Sequence, residues 1–130
     1  MAVENTILAP VSAGELLDKI TILRIKVLRI SDAAKRALAA DELRQLDVIA
    51  DRYLASSPAV TRSMTELQDV NEQLWDIEDD IRRKEHAGEF DSVFIELARA
   101  VYFTNDRRAA IKRTLNQLLG SAIVEVKEYV

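Results

Sequence analysis

Ser12-Ala13-Gly14-Glu15-Leu16-Leu17-Asp18-Lys19-Ile20-Thr21-Ile22-Leu23-Arg24-Ile25-Lys26-Val27-Leu28-Arg29-Ile30 decides the fold. Ser12 with Glu15 three residues later is a capping box, whose two side chains answer the unpaired N–H groups of a helix start. Val11 can staple onto Leu16. Leu16, Ile20, Leu23, Val27 and Ile30 then recur at alternating spacings of four and three, the signature of one helical face. Ile22 and Ile25 fall on the far side, so the helix is apolar almost all round. A helix of that kind is buried on both faces. In so small a protein the simplest second cover is another subunit, which predicts a homodimer; helix two or the tails are the competing cover. Polar groups interrupt this surface in Leu17-Asp18-Lys19-Ile20-Thr21.

Moving outward, Ser31 or Asp32 restarts the chain as helix two, with Ala39, Leu43, Leu46, Ala50 and Tyr53 or Leu54 inward. Ser56-Ser57-Pro58 ends it, because proline disfavours helical geometry in the residue before it. Ser63 with Glu66 reads as a second capping box, opening helix three with Leu67, Val70, Leu74, Ile77 and Ile81 inside. Gly88 stops that helix. Asp91 caps the fourth, Phe90 can staple onto Ile95, and Gly120 supplies the left-handed residue after Leu119. Short connections make neighbours antiparallel. The expected fold is one all-α domain over 1–130, an up-down-up-down four-helix bundle. Thr6-Ile7-Leu8-Ala9 and Ile123–Val130 are short and rich in strand formers, so extended ends could pair as a ribbon within one chain or between two.

Composition sets the outer limits. The 130 residues carry a net charge of −4, three glycines, two prolines and no cysteine. A mildly acidic chain lacks the basic face that neutralises phosphates, so no nucleic-acid partner is expected. The absence of cysteine removes thiol chemistry and cysteine-based zinc sites. No apolar run is long enough to span a membrane, and Met1-Ala2-Val3-Glu4-Asn5 lacks the basic start of a signal peptide. A cytoplasmic location is the expectation, with no metal and no cofactor implied.

Helix four carries the anomaly. Val93, Leu97, Ala100, Val101, Ile111, Leu115 and Leu118 share one stripe, and Thr104 and Arg108 fall inside it. A cation aimed at a core must be paired, since an isolated buried charge costs many kcal/mol. Asn105 and Lys112 lie on the matching edge. On helix three, Asn71, Trp75, Glu78 and Arg82 form a row beside the core stripe; tryptophan in such a place covers a pocket or closes the bundle rim. Helix one adds Asp18 and Lys19. Either Asp18 or Glu78 is the natural counter-ion for Arg108, as guanidinium and carboxylate pair through two parallel hydrogen bonds. The candidate ligand-binding set is therefore Asp18, Lys19, Asn71, Trp75, Glu78, Asn105, Arg108 and Lys112. If these groups satisfy one another they form a structural network; if cations are in excess they hold a phosphate or carboxylate. Glu72, Asp76 and Asp79 at helical spacing could attract a divalent cation, but a solvated acidic face is the plainer reading. His86, the sole histidine, sits at a helix C-terminus, where a cation is favoured.

The blocks Val11–Leu23, Asn71–Asp79 and Thr104–Ala109, with Gly120-Ser121, Glu125, Lys127 and Tyr129, resemble an uncharacterised family of short bacterial and phage all-helical proteins, a domain of unknown function. The resemblance spans nearly the whole chain and is weakest through helix two. It implies a bacterial-type source and a setting near surface-polysaccharide genes, and supplies no catalytic residues. All-helical nucleotide pyrophosphohydrolases pair an acidic cluster with Glu-x-x-Asp on the next helix; here Glu96 is followed three residues later by Arg99, so the pattern fails. Helical chorismate mutases hold a dicarboxylate with Arg and Lys, which Arg108 and Lys112 match only loosely. The expected function is a non-catalytic, dimeric interaction module accessory to surface-polysaccharide or nucleotide-sugar metabolism. The alternative is a protein or enzyme holding an anionic metabolite between helices.

Overall fold

A computed structural model describes residues 5–129. Four helices follow one another: α1 (Ala13–Arg29), α2 (Ala33–Tyr53), α3 (Pro58–Ala87) and α4 (Ser92–Leu118). Local chemistry places most of the boundaries. Ser12, Asp32, Ser57 and Asp91 each accept a hydrogen bond from the backbone N–H three residues on, which satisfies one orphan donor of each helix. At the end of α4, Gly120 takes φ 62°. Ser121 N donates to Asn116 O and Gly120 N to Gln117 O, the paired bonds of a Schellman motif.

One boundary differs from the sequence reading. Helix α3 begins at Pro58, not at Ser63, and Ser63 is buried within it. Proline at the first helical position loses no hydrogen bond and brings a suitable φ, so Ser57-Pro58 is a start signal as well as a stop. At the next turn, Phe90 meets Phe94 edge-on with ring centroids 5.2 Å apart. Phe90 and Ile95 both remain exposed, so the staple between them does not bury either.

Helix α1 is the hub. It packs on α2, α3 and α4, α3 packs along α4, and α2 packs on α1 alone. The core centres on Leu17, Ile20, Leu67 and Leu115, with Leu43, Leu46 and Ala50 of α2, and Leu54 that caps its end, laid over it. Both faces of α1 are therefore covered within one chain, and Ile25 is buried there. The two-faced pattern thus needs no second subunit to explain it. Between α1 and α4 the contacts run in opposite chain order: Gly14 meets Asn116, Glu15 meets Lys112, and Asp18 meets Arg108. Gly14 allows the closest approach. A Cβ there would lie 2.6 Å from the Lys112 carbonyl oxygen.

Two further expectations change. Helix α3 has 30 residues against 17 in α1, so its last turns and the first turns of α4 run on as an arm that α1 does not cover. Within that arm, Val93 of the α4 stripe is exposed and Leu97, Ala100 and Val101 are only half-buried. Leu118, at the other end of the stripe, is also exposed. The terminal segments form no strand among the described residues; Met1–Glu4 and Val130 lie outside them. The C-terminal segment is instead tied along α4 by Glu125 to Lys112 and by Lys127 to Asp106.

Candidate functional site

Asp18 organises the polar cluster. It is 1% exposed, and α1 sets it against α3 and α4 together. From α4, Arg108 donates through Nε to Oδ1 at 2.8 Å and through Nη2 to Oδ2 at 2.5 Å. From α3, Asn71 donates through Nδ2 to Asp18 Oδ1 at 3.0 Å and to Thr21 Oγ1 at 2.8 Å. The Thr21 hydroxyl donates to the Asp18 carbonyl oxygen at 2.7 Å. A buried carboxylate is tolerable only when its lone pairs are met in this way. The hydrogen bond to Asp18 holds the Arg108 pKa above the ordinary arginine value, against the opposing effect of burial.

Lys112 forms the second half. Its side chain is 8% exposed, and Nζ lies 2.8 Å from Glu15 and 3.1 Å from Glu125. Burial is the largest single influence and pushes the lysine pKa down. Hydrogen bonds to Glu15 and Glu125, with the Asp18 and Glu15 charges, outweigh it and leave the pKa raised. Two cations, Arg108 and Lys112, thus face three carboxylates, Asp18, Glu15 and Glu125. No positive charge is left over.

The start of α1 is closed in the same manner. A helix N-terminus attracts anions through its free N–H groups. Here Ala13 N donates to Ser121 Oγ at 3.2 Å, Gly14 N to Asn116 Oδ1 at 2.6 Å, and Glu15 N to Ser12 Oγ at 3.1 Å. Each of these three donors already has a neutral oxygen.

Two open hollows flank the Arg108–Asn105 ridge. One, of about 690 Å³, lies between α4 and the C-terminal segment and includes Glu15, Tyr102, Asp106, Lys112, Glu125 and Lys127. The other, of about 450 Å³, is lined by Ile22, Asn71, Leu74, Trp75, Glu78, Asp79, Arg82, Asn105 and Arg108. Of the expected residues, Asn71, Trp75, Glu78, Asn105 and Arg108 therefore share one hollow, and Asp18 bonds to two of its walls. Lys112 opens on the other hollow. Lys19 belongs to neither: it points to α2, where Nζ pairs with Glu42 at 2.8 Å and the side chain is 57% exposed. Helical phase turns position 19 away from the face that carries Asp18 and Thr21. Nor does Glu78 partner Arg108, since it accepts from Arg82 Nε at 3.2 Å one turn along its own helix.

Sequence reasoning missed Gly14, Glu15, Asn116 and Glu125 as members of the cluster. Glu15 carried a signal that pointed elsewhere, because the capping box explains it; its backbone N–H does bond Ser12, but its carboxylate goes to Lys112. Among the described residues no group of three or more His, Cys, Asp or Glu could hold a metal ion. Asp76, from the acidic row on α3, pairs with Arg29 at 2.5 Å. Among the same residues, no helix is long and apolar enough to cross a membrane.

No curated protein and no solved structure matches the chain. One family model does, over residues 7–130, and it covers all four helices, the Asp18–Arg108 cluster and the segment that carries Glu125. The chain belongs to the family of unknown function DUF6165.

Proposed function

We propose that this protein is a non-catalytic helical interaction module that works as a dimer. The observation that supports this reading is the internal closure of the buried charge cluster around Asp18 and Lys112. Arg108 is matched by Asp18, and Lys112 by Glu15 and Glu125. A site built to hold a phosphate or carboxylate keeps unpaired cations for it. Here the side chains fix the register of α1 against α3 and α4, a role attested for buried polar groups.

Thermal melting tests this. Arg108→Ala strands the Asp18 carboxylate, and breaking a buried pair costs about 3–5 kcal/mol, so a large drop in Tm is expected. Phosphorylated sugars, nucleotides and dicarboxylates, with and without magnesium, should leave the melting point of the unmodified protein unchanged. Overturning the reading takes a ligand-induced rise in Tm that disappears in Lys112→Ala, because a ligand stabilises only the state that binds it.

One observation favours a second reading. The hollow beside Trp75 collects seven polar or aromatic side chains and falls within the size range of small-molecule sites. Trp75 is the only tryptophan, so its fluorescence reports on that hollow directly. A saturable change with any member of the same ligand panel would favour this reading over the first.

A further inference from the structure

Asn71 is spent at one end of its amide and open at the other. The residue is 5% exposed, and its Nδ2 donates to both Asp18 Oδ1 and Thr21 Oγ1. An ionised carboxylate only accepts, so Asp18 fixes which end of the amide faces inward. Asn71 Oδ1 therefore points away from Asp18, and it accepts no hydrogen bond among the described residues. Nor is it sealed from solvent: among those residues, the buried side-chain oxygen without a partner is Gln68 Oε1. Asn71 lines the hollow beside Trp75, and that is the opening its free oxygen meets. A free acceptor on so deeply buried an amide calls for a partner, since buried polar groups are as a rule hydrogen-bonded.

The neighbouring wall supplies the complement. Asp18 Oδ1 also accepts from Arg108 Nε at 2.8 Å, so one oxygen holds the α3 amide beside the α4 guanidinium. Arg108 Nη1 reaches Asn105 Oδ1 at 3.4 Å, which leaves Asn105 Nδ2 without an acceptor among the described residues. An acceptor on α3 and a donor on α4 thus line the same hollow, the first held in place by buried hydrogen bonds. Ile22, Leu74 and the Trp75 ring make up the apolar part of the lining. An indole face favours a flat, stackable group.

Charge narrows the ligand further. Both cations at the hollow are already held, Arg82 by Glu78 and Arg108 by Asp18. Asp79 makes no ion pair among the described residues. A phosphate or carboxylate would meet two spent cations and an unspent carboxylate, and a cation would sit beside two guanidinium groups. An uncharged molecule avoids both conflicts.

We infer that the Trp75 hollow binds a small uncharged ring compound, which lays an apolar face on the indole, donates an O–H or N–H to Asn71 Oδ1 and accepts from Asn105 Nδ2. The inference rests on the second reading above and gives its hollow a ligand class. Neutral sugars and nucleosides share this chemistry, each a ring with a stackable face and donors beside acceptors on its edge.

Trp75 is the only tryptophan, so the full chain labelled with heavy nitrogen gives one indole N–H signal in a proton–nitrogen correlation spectrum. Methyl glucoside, uridine and the phosphorylated counterpart of each are the titrants. A saturable shift with methyl glucoside or with uridine is expected, and which of them acts separates sugar from nucleoside. The phosphorylated counterpart should bind about tenfold more weakly, a 1.4 kcal/mol effect. Dioxane, a ring with acceptors only, should give no saturable shift. Asn105→Ala, with circular dichroism to show that its helices remain, should weaken binding of the active compound by about tenfold. Binding of the phosphorylated compounds alone overturns the inference and leaves the hollow a ligand site. Silence from all four compounds removes the second reading along with it. An equal response to dioxane, or unchanged affinity in Asn105→Ala, overturns the assigned contacts.

Discussion

The two ends of the α3–α4 pair are built on opposite plans. Near the start of α1, Leu67 and Leu115 are fully buried, Asp18 and Thr21 are sealed beneath Arg108 and Asn71, and Gly14 touches the α4 backbone. In the arm, from Ile77 of α3 round to Phe103 of α4, no residue is fully buried. The polar groups differ likewise. At the first end, charges on three separate elements neutralise one another; in the arm, Arg82 and Arg83 pair within a single turn of their own helix, where the gain is only about 0.2–0.5 kcal/mol. Stability is therefore concentrated at one end, and surface is left available at the other.

That contrast can be broken most sharply with matched core deletions. Leu115→Ala, at a site with no exposure, should cost about 2–5 kcal/mol in urea unfolding. Leu97→Ala, half-buried in the arm seam, should cost about 1 kcal/mol by partial burial. Equal losses would show that the arm is as tightly built as the body. Gly14→Ala comes next. The added Cβ would sit 2.6 Å from a backbone oxygen that cannot rotate away, so α1 must shift off α4, at a cost of about 1–3 kcal/mol. An unchanged midpoint would mean that α1 has room to move.

The smallest effect is a titration. Lys112 has a folded-state pKa raised above the ordinary 10.5. A group whose pKa rises on folding contributes its stabilisation fully below the unfolded value and loses it as pH climbs through the folded one. Stability should therefore hold up to about pH 10.5, set by the unfolded lysine, and decline beyond it. Lys84 is raised as well, by its hydrogen bonds to Glu89 and Asp91, and adds to the same decline. Lys112→Met should show a shallower alkaline loss than the unmodified protein. Parallel profiles would place the alkaline sensitivity elsewhere.

Much of this was legible because it is local. Asp32 and Asp91 cap, Gly88 and Gly120 stop, and the spacing of Ile20, Leu67 and Leu115 follows the helical repeat, all within a few residues of chain; in the first turn it is Leu17 and not the expected Leu16 that is buried. Arg108 could be picked out as a cation needing a carboxylate because the stripe around it is apolar, and Asp18 was one of two partners named for it. Gly14 was silent for the opposite reason. A glycine inside a strong helix signal looks like noise until another backbone lies against it. Lys19 was drawn in by its neighbour Asp18, although adjacent helix positions diverge by about 100°. Ser57-Pro58 was misread because one dipeptide serves two helices. Ile25 gave a sound signal of burial on the second face, which the chain's own helices supply, whereas Ile22 stays half-buried and lines the hollow beside Trp75.

The bonds that finish α1 come from far down the chain. Gly14 N waits for Asn116 and Ala13 N for Ser121, partners separated from them by 102 and 108 residues. During synthesis, which runs from the N-terminus, the first helix must emerge with its opening turn half-capped and its Asp18 carboxylate unmatched. It can close only after α4 and Ser121 have left the ribosome. Local helices form early and contacts of high sequence separation form late, so this body closes around α1 only once α4 and Ser121 are available to it.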